Sequence, residues 1–188
     1  MPNDLVWRES VSDEELKKFD KYAHAVTVIS SQHRLIHDGM FFSGWFRNAT
    51  LASGSKLYLG ISVPASTYSH MQVVQVTADE GGLEVELYEN STYSGGSAVT
   101  MVNRNRNSSK TLSTSVVSAP TVTTEGTLID FHILPEQGAG GHSGVNTKEE
   151  FGELALSSST DYLIAVDNTT ATTRDVTINI AAYELTYP

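Results

Sequence analysis

The chain has 188 residues, a formal net charge of −10 and no cysteine. That length fits about one domain with a core of useful size. The missing cysteines remove disulfides, thiolate zinc sites and thiol nucleophiles together, and the acidity sets the molecule as a whole against nucleic acid and anionic membranes. The opening MPNDLVWRESVSDEE carries neither the basic nor the apolar part of a signal peptide, and no apolar run approaches the ~18 residues of a membrane span. Synthesis in the cytoplasm, without a membrane partner, is the expectation.

Residues 1–21 read as an arm distinct from the domain at 22–188. Within it Ser12-Asp13-Glu14-Glu15 has capping-box spacing, and Leu16 and Phe19 then share one face of a short helix. A helix of about two turns does not hold itself in water, so Leu16 and Phe19 become candidate contacts, on their own domain or on a neighbouring subunit. From Tyr22 onward the period changes to two. Strands are predicted at 26–29, 56–63, 71–76, 83–88, 127–133, 162–166 and 176–180, with turn chemistry such as Asp38-Gly39, Ser53-Gly54 and Gly81-Gly82 between them. Thr147-Lys148-Glu149-Glu150 has the spacing of a second capping box and predicts at most one helical turn before Gly152. Many short antiparallel strands with almost no helix mean an all-β fold: a jelly-roll-like β-sandwich with a short N-terminal helical arm. Two connections, Tyr93 to Lys110 and Pro135 to Asn146, are too long for hairpins and are the first places to seek contacts.

The usual constellations of chemistry are weak. His33 and His37 would share a face on extended backbone, but no HxH or HExxH pattern and no spaced carboxylate accompanies them, so no metal is expected. Gly141-His142-Ser143-Gly144-Val145 lacks the final glycine of a nucleophile elbow, and Glu84 and Glu86 lie on one strand face as a solvated pair would. No cofactor and no catalysis are expected.

One stretch stands apart. MVNRNRNSSK, residues 101–110, holds three of the chain's twelve lysines and arginines. On an extended backbone Arg104 and Arg106 would face one way and Asn103, Asn105 and Asn107 the other. Guanidinium groups suit planar carboxylate partners, whereas single-stranded nucleic acid would call for interleaved aromatics and a wider basic groove. Asn103, Arg104, Asn105, Arg106, Asn107 and Lys110 are therefore candidate contacts to protein, not to nucleic acid.

The segments SSQHRLIHDGMFFSGWF (30–46), ELYENSTYSGGSAVTMVNRNRNSSK (86–110), APTVTTEGTLI (119–129), STDYLIAVDNTT (159–170) and INIAAYE (178–184) resemble those of tailed-bacteriophage virion proteins, in particular head decoration, or cement, proteins. The resemblance spans roughly 30–184 and leaves the arm outside. It implies a β-sandwich on the capsid exterior, contacting the major capsid protein and bridging its subunits, with self-association as a homotrimer. The alternative it leaves open is a neck, head-fibre or tail component with a glycan- or receptor-binding sandwich. For that reading Trp45, Tyr58, Tyr68 and Tyr93 are the aromatic candidates.

Overall fold

The computed structural model describes residues 31–135, 147–151 and 153–185, and the compact unit that carries the sheets runs from Leu35 to Pro188. The predicted arm helix with Leu16 and Phe19, the strand at 26–29 and the loop at 136–146 lie outside the described residues. A helix, α1 (Ser31–His37), comes first. It ends where Gly39 adopts φ +67° and the amides of Gly39 and Met40 bond back to the carbonyls of Ile36 and Leu35 at 3.0 and 2.9 Å. That is the left-handed glycine stop of a Schellman turn. Backbone over 31–37 is therefore helical, so His33 and His37 share a face through the i, i+4 spacing of a helix and not through the extended backbone expected.

Eight principal strands follow. They are β1 (Phe41–Leu51), β2 (Lys56–Ser62), β3 (Tyr68–Ala78), β4 (Leu83–Glu89), β10 (Thr127–Leu134), the edge pair β11 (Thr147–Phe151) and β12 (Leu154–Leu156), β13 (Asp161–Asn168) and β14 (Arg174–Leu185). One sheet runs β11-β3-β14-β1, with β12 also on β3, and the other runs β10-β4-β13-β2, every pairing antiparallel. With β11 and β12 counted as one position, the chain visits 6-3-8-1 and 5-4-7-2, the strand order of a jelly roll. Thr147–Phe151 is thus a strand paired with β3, where the sequence suggested a helical turn: the ladder to β3 overrides the local capping pattern.

The period-two residues meet between the sheets. Val74, Val76, Val176, Ile178 and Ile180 on one side face Leu57, Leu59, Ile61, Leu83, Val85, Leu87, Ile164 and Val166 on the other, all buried in one cluster. At about 1.5–3 kcal/mol per large aliphatic side chain, this cluster is the chief stabilising term of the fold. Strand β13 is buried on both faces, because Leu163 and Ala165 on its outer side pack under Tyr58, Tyr88, Tyr93 and Val122.

Tyr58 and Tyr88 belong to β2 and β4, and the rest of that cover comes from the insert between β4 and β10. The insert contains β5 (Thr92–Ser94), β6 (Ser97–Ala98), β7 (Val102–Asn103), β8 (Ser115–Ser118) and β9 (Thr121–Thr124). Strands β5 and β9 form a two-stranded ribbon, β7 extends the first sheet beyond β1, and β8 with β6 extends the second beyond β2. At the same lateral edge of both sheets the insert therefore covers part of each open ladder, two residues of β1 and four of β2. Gly60 lets the ribbon sit down: a Cβ there would lie 2.6 Å from the Tyr93 ring. Among the described residues no helix is long and apolar enough to cross a membrane.

Candidate functional site

The stretch 101–110 follows from asparagine chemistry more than from strand period. Strand β7 lasts only two residues, with Val102 opposite Ser43 and Asn103 opposite Phe42, before the chain turns. Asn103 Oδ1 accepts from the amide of Asn105 at 2.9 Å, and Asn105 Oδ1 accepts from the amide of Asn107 at 3.1 Å. These are two successive side-chain-to-backbone turns, the conformation asparagine favours over a ladder. Asn103 Nδ2 also donates to the carbonyls of Gly39 (2.9 Å) and Lys110 (3.1 Å), and Asn105 Nδ2 donates to that of His37 (2.8 Å). Lys110 Nζ reaches the carbonyl of Asp38 at 2.9 Å. The loop is thereby stitched onto the 37–39 turn, close enough that a Cβ on Gly39 would collide with Ser108.

The predicted contacts accordingly separate into frame and surface. Asn103 is only 8% exposed and its amide is fully engaged, so it is a frame residue, not an exposed contact; Asn105 is half-buried with the same role. Arg104, Arg106, Asn107 and Lys110 remain exposed. The arginines do not owe their position to strand alternation, because the backbone after Asn103 is turned. Arg104 Nη1 lies 3.4 Å from Ser43 Oγ, and neither arginine nor Lys110 has a carboxylate partner among the described residues. Other cations of the sandwich do: Arg47 pairs with Asp175, Lys56 with Glu86 (2.9 Å) and Glu125 (3.1 Å), and Arg174 with Glu80 (3.1 Å).

Beside the loop a recess of about 250 Å³ opens at the sandwich edge, walled by Phe42, Val99, Met101, Leu112 and Val116 with Lys110 at its margin. Its far wall is tied by Glu184, whose carboxylate accepts from the amides of Ser113 (2.9 Å) and Thr114 (2.6 Å) and from the Thr114 hydroxyl (2.7 Å). The recess is invisible to strand periodicity, since its walls come from three separated segments; the only sequence signal is the apolar spacing of Val99, Met101 and Leu112 around a polar loop.

Of the two strand-face carboxylates Glu84 and Glu86, only Glu86 is drawn into a structural ion pair. Glu86 and Glu125 share Lys56, and Tyr58 donates to Glu125 at 2.8 Å, which pins the end of the insert to the outer face of β2 and β4. Burial and then the bond to Glu125 push the Tyr58 phenol up to about 12. Burial alone would raise the Glu125 carboxyl, but hydrogen bonds from Tyr58 and Lys56 hold it below its usual range. Tyr58 and Tyr93 are packed over β13, whereas Trp45 and Tyr68 are exposed on β1 and β3. Among the described residues no group of three histidines and carboxylates is placed to hold a metal ion.

Fold and site together define an antiparallel jelly-roll sandwich with a braced cationic loop beside an apolar recess. No protein-family model, curated protein or solved structure matches the chain.

Proposed function

We propose that this protein is a structural component of a tailed-phage virion, bound to the outer surface of the capsid, where it stabilises the shell by bridging major capsid subunits. One observation carries the reading. Three cations without carboxylate partners among the described residues are presented on a hydrogen-bonded frame by a molecule whose net charge is −10. Such a loop is complementary to carboxylates of another protein surface, on the shell or on a neighbouring copy, and the stitched backbone lowers the ordering cost of docking. Two sheets packed over one buried core suit a part that must be stiff. The segments resembling decoration proteins supply the virion context, and the exterior of the particle is then where the protein resides.

The test is occupancy on particles. Purified protein is added to shells lacking it, and bound copies per capsid are counted by mass spectrometry and imaging. The double variant Arg104→Glu, Arg106→Glu is expected to lower apparent affinity by at least about tenfold, the equivalent of ~1.4 kcal/mol. Wild-type protein that leaves shells bare, or a variant that binds as wild type does, refutes the reading.

A further inference from the structure

The cationic loop lies at one lateral edge of the sandwich, beyond β1; β10 is the outermost strand of the other sheet at the opposite edge. Among the described residues β10 has a single ladder partner, β4. Its outer face carries Leu128, Phe131 and Ile133, which are 48%, 43% and 57% exposed. Beside them in register stand Glu84, opposite Ile133, and Glu86, opposite Phe131, with Asp167 next to Glu84 on β13. Glu86 shares Lys56 with Glu125, and Lys56 stands opposite Asp167 in register, but Glu84 and Asp167 have no ion pair among the described residues. The strip is thus apolar with an unpaired acidic flank.

Sheet extension is a poor use of this strand. Its inward-facing Asp130 and His132, paired at 3.3 Å, would be covered by an added strand, which is a device that guards edges against such pairing. The face remains. Strip against strip would set Glu84 and Asp167 against their own copies, and loop against loop would oppose cations. Loop against strip is favourable in both terms: Arg104, Arg106 and Lys110 meet the carboxylates, and Val102, itself 38% exposed, meets the apolar stripe. We propose that the occupant of the β10 face is the basic loop of a second copy of this chain, in a head-to-tail contact. The proposal rests on the reading of the loop as a protein-docking element. Because the two surfaces sit at opposite edges, each copy gives one and takes one, and repetition closes a ring or extends a row. Exposed ion pairs are worth little singly, so the apolar strip supplies the affinity and the charges fix the direction.

Sedimentation velocity of the purified protein, without particles, tests this over a series from about 1 µM to about 1 mM. Wild type is expected to associate. A loop variant, Arg104→Glu with Arg106→Glu, and a strip variant, Phe131→Lys with Ile133→Lys, are each expected to stay monomeric. Mixed in equal amounts they should yield a dimer and nothing larger, because each retains the one surface that its partner has lost. As a second readout, Arg106→Cys and Glu84→Cys single variants of this cysteine-free chain, given oxidised glutathione as oxidant, should form disulfide-linked dimers together at least about tenfold faster than either alone. A wild type monomeric throughout, a variant that associates unaided, or a mixture in which neither dimer nor preferential crosslink forms overturns the pairing. Monomeric protein that still decorates particles overturns only this pairing; associating protein that never binds them overturns only the virion reading.

Discussion

The loop's rigidity should depend on one side chain, and Asn103→Ala measures it. The substitution deletes two donated bonds, to Gly39 O and Lys110 O, and one accepted from the Asn105 amide. The bond to Gly39 is buried, so its carbonyl loses its partner with little water to replace it, a cost of about 1–3 kcal/mol. The other two are partly solvated and each contribute about 0.5–1 kcal/mol. Together they give a destabilisation of roughly 3 kcal/mol, which in a chain of 188 residues corresponds to a fall in Tm of about 6–12 °C. Urea unfolding of Asn103→Ala beside Asn107→Ala supplies the comparison, since Asn107 is exposed. Hydrogen exchange should show faster opening across 103–110 in the first variant alone. If the two variants differ by less than about 0.5 kcal/mol, the amide does not brace the loop and the frame assigned to it is wrong.

Gly60→Ala should force the Tyr93 ring outward and cost about 1–3 kcal/mol, and Tyr93→Ala should remove most of that penalty; additive losses in the double variant would show that the ribbon does not rest on Gly60. Burial, followed by bonds to Glu125 and Glu153, raises the phenols of Tyr58 and Tyr183 to about 12, and burial raises those of Tyr88 and Tyr93 as well. A raised folded pKa stabilises the protein below the unfolded value near 10, and that contribution is lost as pH climbs toward 12. Tyrosinate absorption of the eight tyrosines should therefore reach full amplitude only as the protein unfolds above about pH 10; one transition near 10 for all would contradict the packing over β13. At the acid end Glu125 is depressed, so its contribution is present above the unfolded carboxylate range and fades as pH falls through the folded value; Lys56→Met should flatten that acid limb in urea titrations.

Strands whose apolar residues alternate were legible in the sequence. Leu83, Val85 and Leu87 on β4, and Val176, Ile178 and Ile180 on β14, announce one buried face each, and the observed strands contain both predictions. Strand β1 was not, because FFSGWFRNATL mixes buried Phe41, Phe42 and Gly44 with exposed Trp45 and Arg47; it is held by its ladder to β14 and by the insert against Gly44. The prediction of a helical turn at 147–150 failed for a related reason, since pairing with β3 is a non-local term that a capping pattern cannot report.

At the loop, period-two reasoning selected the arginines for a geometry the chain does not adopt. What exposes them is the competition between two uses of asparagine. In a ladder Asn103 and Asn105 would project amides to the side opposite the guanidiniums; here their side chains capture backbone amides two residues on and carbonyls at 37 and 39, and turn inward. The arginines, which cannot make those turns and find no carboxylate among the described residues, are left outside. An N-R-N-R-N tract is therefore a device for presenting cations: the amides supply the scaffold from within, and the charge is exposed because nothing in the frame can use it.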